Sequence, residues 1–180
     1  MSEQTIAPPT SAVQRALGRI ASLAIGIAAA ALLGLVVVQG WQVFARYVIN
    51  DSPSWTEPVT LLLLATATSL GAACGVHTHR HFGFFLLHDH VRPGMRRAID
   101  VIVTVVIVAI GAVLAYWGAV LLLDGLDIKA AGADLPQSIN YLPLSIGGVL
   151  MVVFALNRLV LAFGPQEPAA VAPALQEGDL

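Results

Sequence analysis

Of the 180 residues, 57 % are hydrophobic and 11 % are charged, and the mean hydropathy is +0.81. Soluble domains hold about 45–50 % apolar and about 25 % charged residues, so a soluble fold of this size has no interior large enough for so much apolar surface. A net charge of −2 gives no electrostatic case for nucleic acid, and the single cysteine, Cys74, excludes an intrachain disulfide framework.

Residues 1–14 are polar or proline-bearing, with Pro8 and Pro9, and read as a flexible N-terminal tail. A membrane domain is expected over 15–163, followed by a second flexible tail over 164–180. Four apolar runs, about 20–45, 58–76, 101–123 and 141–163, meet the length of roughly 20 helical residues that a bilayer core demands, the fourth carrying Arg158 near its end. None alternates polar and apolar residues, which excludes membrane strands. The first run resembles a signal peptide at its start but exceeds the roughly 7–15 residues of an h-region, so it reads as a retained helix. The expected fold is therefore an all-α integral membrane protein of four transmembrane helices.

Lys and Arg set the expected orientation. With the N-terminus cytoplasmic, Arg15, Arg19, Arg80, Arg92, Arg96, Arg97 and Arg158 fall inside, and only Arg46 and Lys129 fall outside. Both termini are thus expected in the cytoplasm, with Asp124, Asp127 and Asp134 in an outer loop. Gly26, Ala30 and Gly34, and again Ala67, Gly71 and Gly75, repeat small residues every four positions. Such spacing lets helices approach closely, although membrane helices are rich in Gly and Ala in any case. Cys74, within an apolar run, reads as a small packing residue.

No Asp, Glu, Lys, Arg or His lies deep inside a span. Ionisable groups at that depth usually mark an ion or substrate path, and no internal repeat with broken helices is evident. This points away from a self-sufficient carrier and towards an accessory subunit, although hydroxyls such as Thr66, Thr68 and Ser69 can also line a path.

The densest polar constellation is His77, His79 and His81 with Arg80, then His88 and His90 with Asp89. Imidazole is a common metal ligand, but no Cys or Glu joins the cluster and no histidine lies in a span to hold haem. Phe82, Phe84, Phe85, Leu86 and Leu87 form an apolar piece too short to cross, read as a short interfacial segment between spans two and three. Arg92, Arg96 and Arg97 then anchor span three against anionic phospholipid headgroups. In the first outer loop, Ser54 and Glu57 fit a capping box, Pro58 suits a first helical turn, Tyr47 and Trp55 suit the interfacial belt, and Arg46 can pair with Glu57. No phosphate loop, nucleophile elbow or zinc-protease motif is present, so no enzymatic activity and no cofactor is expected.

Arg46, Tyr47, Val48, Asn50, Ser54, Trp55 and Glu57, followed by Leu70-Gly71-Ala72-Ala73, resemble the small membrane subunit of tripartite ATP-independent periplasmic (TRAP) transporters, the DctQ-like family. His81 before a Pro/Arg cluster (Arg92, Pro93, Arg96, Arg97) and Leu135-Pro136 ahead of Tyr141, Pro143 and Gly147 fit the same pattern, so the similarity covers about 17–163. One departure is that Pro58, not a second acid, follows Glu57. The resemblance implies a non-catalytic inner-membrane scaffold for a large permease subunit that holds the substrate and sodium sites. It also implies a periplasmic binding protein that delivers an organic acid. On that reading Arg46, Trp55, Glu57, His81, Arg92, Arg96 and Arg97 are structural or partner-interface candidates, and Asp124, Asp127 and Asp134 are docking candidates. The alternative is a membrane anchor or metal- or haem-binding subunit of a redox enzyme built on His77–His90.

Overall fold

The structure, a computed structural model, describes residues 12–51, 53–78, 93–132 and 136–163, without the side chains of 93, 94, 96, 97 and 161–163. Both expected tails for the most part, four of the five histidines (His79, His81, His88 and His90), the apolar piece 82–87, Arg92 and Asp134 lie outside the described residues.

Four helices carry the fold. Helix α1 (Ala12–Phe44) continues into a wider, π-helical turn, Ala45–Ile49. Helix α2 (Thr56–His77) follows a short turn, α3 (Pro93–Asp124) comes next among the described residues, and α4 (Leu142–Phe163) follows a 3-10 turn, Gln137–Asn140. All four are long and apolar enough to cross a membrane. Among the described residues there is no strand, only an isolated bridge between Lys129 and Pro136. Lipid offers the backbone no hydrogen bonds, so each segment satisfies its own N–H and C=O groups by winding into a helix. The span hydroxyls do likewise. Thr66 Oγ1 donates to Leu62 O (2.7 Å), Thr68 Oγ1 to Leu64 O (2.8 Å), Ser69 Oγ to Ala65 O (2.6 Å) and Thr104 Oγ1 to Asp100 O (2.7 Å). The donor of each hydroxyl expected as a possible path lining is thus engaged by its own helix.

The packing order is α1, α2, α4, α3. Helix α2 lies against α1 on one side and α4 on the other, and α3 packs on α4. No substantial interface joins α1 to α3, or α2 to α3. The helices therefore form an open row, not a closed four-helix ring. Helix α4 is the hub, with a third of its most apolar stretch buried, against 17 % for α3 at the edge.

Small side chains set the contacts, but not those that the four-residue spacing suggests. On α1 the buried positions are Leu17, Ala21, Ala24, Ala28 and Ala31. Their alternating steps of four and three are a coiled-coil seam, which brings two helices together at a shallow angle. Ala24 and Ala28 pack with Leu70 and Cys74, and Cys74 Sγ donates to Ala21 O at 3.3 Å. Gly26 and Ala30 instead point outward, and a Cβ on Gly26 or Gly71 would meet nothing within 4 Å. Of that expected pair of stripes, Gly34 does approach α2, at Leu63. The closest approaches lie around α4. A Cβ on Gly148 would stand 2.5 Å from Ala115 N, one on Gly118 would stand 2.8 Å from Ser145 N, and one on Gly147 would stand 2.6 Å from Ser69 Cβ. Towards the end of the row that holds the termini, a core of Val76, Ile107, Met151, Phe154 and Ala155 joins Leu17 and Ala21.

Candidate partner interface at the hairpin end

The α1–α2 turn and the α3–α4 loop emerge at the same end of the row, here called the hairpin end. There α1 widens. Ala45 O accepts N–H donors from both Asn50 and Asp51, the latter at 3.1 Å. The chain reverses through Asn50, which adopts the left-handed conformation at φ 62°, ψ 24°. Asparagine tolerates this region because its short polar side chain bonds locally.

The expected capping box does not form. Helix α2 starts at Thr56, and the residue before it, Trp55, makes no side-chain cap. Thr56, fully buried, donates its Oγ1 to Pro53 O at 2.7 Å. The Ser54 hydroxyl reaches across to the other loop and donates to Gly132 O at 2.8 Å. Gly132 is obligatory in that contact, because it has φ +85° and a Cβ on it would stand 2.5 Å from Ser54 O. The α3–α4 loop is itself closed by Gln137 N–H donating to Ile128 O (2.8 Å) and by Gly125 lying against buried Ser138. The two connections are thereby one structure, so a force on either is felt by the other.

Of the candidate residues, Arg46 sits in the wide turn, Trp55 in the short turn before α2, and Glu57 in the first turn of α2, all exposed. No ion pair joins Arg46 to Glu57; Glu57 instead faces the positive end of the α2 dipole. Asp124 ends α3 and Asp127 lies in the following loop, both exposed. With Asp51 and Glu57 they give this end four exposed carboxylates against the cations Arg46 and Lys129. Leu126 and Ile128 stand out between them, each 54 % exposed. The structure thus gathers Arg46, Trp55, Glu57, Asp124 and Asp127 at one end. Arg96 and Arg97 lie at the start of α3, towards the opposite end.

Two features escaped sequence reasoning. The wide turn leaves no trace in the hydropathy pattern, and Asn50-Asp51 is its only local signal. At the termini end, Arg158 Nη2 donates to Asp100 Oδ1 at 3.4 Å, joining α3 to α4. Both charges border apolar runs, but nothing in the sequence paired them. Of the expected histidine cluster, His77 alone is described; its ring lies tilted at 45° against Phe154, centroids 4.9 Å apart. Among the described residues, no group of three metal-ligating side chains converges.

Four apolar helices in an open row, with no Asp, Glu, Lys, Arg or His within 20–45, 58–76 or 101–123 and Arg158 alone near the end of 141–163, define a multi-pass membrane protein. Residues 35–164 match the model of the family described as "Tripartite ATP-independent periplasmic transporters, DctQ component", and the chain belongs to that family. A similar relative is the sialic acid TRAP transporter small permease protein SiaQ of Vibrio cholerae, 26 % identical over 129 residues, which cover 71 % of this chain and 74 % of the relative.

Proposed function

We propose that this small permease subunit is a non-catalytic scaffold in the bacterial inner membrane. It supports a large permease subunit in sodium-coupled uptake of an organic acid delivered by a periplasmic binding protein. The family match over 35–164 carries this reading. The relative named for sialic acid, itself an organic acid, supports the substrate class. The absence of Asp, Glu, Lys, Arg or His deep inside the spans fits a subunit whose partner holds the ion and substrate sites, since such sites require polar ligands at depth. The open row fits a scaffold, because both of its faces remain available to lipid or to a larger neighbour. We place the termini in the cytoplasm and the hairpin end in the periplasm. There Asp124, Asp127 and Asp134 are docking residues, and Arg46, Trp55 and Glu57 hold the hairpin against the large subunit. His81, Arg92, Arg96 and Arg97 serve the cytoplasmic side of the same assembly.

The test is purification of the tagged chain from native membranes in mild detergent, with mass spectrometry of what accompanies it. A stoichiometric large permease is the expected result. Recovery with a redox enzyme and a coloured cofactor would overturn the reading and return attention to His77–His90.

A further inference from the structure

Beside the wide turn of α1, a groove of about 430 Å³ opens between the helix and the turn that leads into α2. Its volume falls within the roughly 300–1,000 Å³ of small-ligand sites. Val37, Val38 and Ile49 supply an aliphatic wall, and Trp41 and Trp55 line it from α1 and from the turn. Both indoles are nearly half exposed, at 46 % and 44 %. Asp51, exposed, is the one charged residue in the lining. The groove exists because of the local backbone: the π-helical turn and left-handed Asn50 carry Ile49 and Asp51 off the line of α1.

The chemistry is directional. The aliphatic wall belongs to the apolar part of α1, and the carboxylate lies at the very end of the hairpin, where a membrane meets water. An indole face attracts a cation, and a carboxylate takes hydrogen bonds from a primary ammonium. At this end of the row the exposed carboxylates Asp51, Glu57, Asp124 and Asp127 outnumber the cations Arg46 and Lys129, a balance that disfavours an anionic headgroup. We propose that the groove binds one phospholipid with a zwitterionic, primary-ammonium headgroup. The ammonium sits at Asp51 beside Trp41 and Trp55, and an acyl chain runs along Val37 and Val38. An ordinary interfacial indole contacts every lipid alike; this site discriminates by headgroup charge, and through one residue.

The probe is phospholipid with brominated acyl chains, which quenches nearby indole fluorescence. The full chain carries Trp117→Phe so that Trp41 and Trp55 alone report. It is placed in phosphatidylcholine bilayers holding a low mole fraction of brominated phosphatidylethanolamine or brominated phosphatidylglycerol. The expected result is a preference of roughly fivefold for the ethanolamine lipid, the scale that a cation–π contact and an exposed ion pair together support. Asp51→Asn removes the preference. Asp51→Lys reverses it towards phosphatidylglycerol, a gain that misfolding cannot mimic. Equal quenching by both lipids, or a preference untouched by either substitution, would overturn the assignment.

Discussion

Asn50 turns the chain at the cost of a left-handed backbone, and the local fold around it is arranged to keep that conformation. The Ala45 carbonyl collects the N–H groups of both Asn50 and Asp51, so the wide turn closes without an orphan donor. A β-branched residue at this φ brings its Cβ against the following carbonyl, at roughly 1–2 kcal/mol. Thermal unfolding in detergent should therefore leave Asn50→Gly within about 0.5 kcal/mol of the parent and destabilise Asn50→Val by about 1–2 kcal/mol. Equal stability of the two variants would show that the left-handed turn is not required. At this scale the sequence was only partly legible. Ser54 and Glu57 have the spacing of a capping box, in which the Ser oxygen accepts from a helix amide, but the helix starts at Thr56 with Trp55 in the cap position, and the Ser54 hydroxyl donates instead to Gly132 O, 78 residues away. A local motif cannot announce a distant acceptor that holds its side chain elsewhere. Arg46 and Glu57 likewise suggested a pair that the hairpin does not make, whereas Arg158 and Asp100, which nothing in the sequence paired, do meet. That pair is partly exposed, with side chains 22 % and 39 % accessible, so its contribution to stability is held to about 0.5–1 kcal/mol.

At the scale of elements, the four spans were plain in the sequence, because no other structure lets about twenty apolar residues cross lipid with every amide satisfied. Which faces meet was not plain. A glycine is as comfortable against lipid as against another helix, so a stripe such as Gly26, Ala30 and Gly34 names a possible contact without its partner. The α3–α4 seam instead uses Gly111 and Gly118, seven residues apart, against Gly148 and Ser145. What a Cβ on Gly148 would meet is backbone, Ala115 N at 2.5 Å and Gly111 O at 2.8 Å, which cannot rotate aside. Gly148→Leu should therefore separate α3 from α4, costing about 3 kcal/mol, the upper end for overpacking. Gly26→Leu, with open space around it, should leave the melting temperature of the isolated chain unchanged. Matching losses in the two variants would refute the packing order described for the row.

For the whole molecule, the proposed orientation rests on seven basic residues against two, a bias that acts through the loops flanking each span. It makes the hairpin end accessible from outside the cell. In a Cys74→Ala background, a cysteine introduced by Ala131→Cys, exposed in the α3–α4 loop, should react with a membrane-impermeant maleimide on intact cells. Labelling only after the membrane is opened would invert the topology, and with it the assignment of Asp124 and Asp127 to periplasmic docking. The assembled length of α1 also belongs to this scale. Ala12–Ile49 spans 38 residues, about 57 Å at 1.5 Å per residue, well beyond a bilayer core of about 30 Å. The helix must tilt steeply or project from the membrane, which sequence alone, reading only its uncharged stretch, did not disclose.

The packing order carries one more consequence, for how the protein is made. A ribosome delivers the helices as α1, α2, α3, α4, yet α3 packs substantially only on α4. While the last segment is still being synthesised, α3 has no helical neighbour and must reside in lipid by itself. Its composition suits that interval: its most apolar stretch has the highest hydropathy of the four, 2.8, and the Thr104 hydroxyl is already bonded within its own helix. Completion of the row is thus the last event of biogenesis, and it waits on the arrival of Ser145, Gly147 and Gly148.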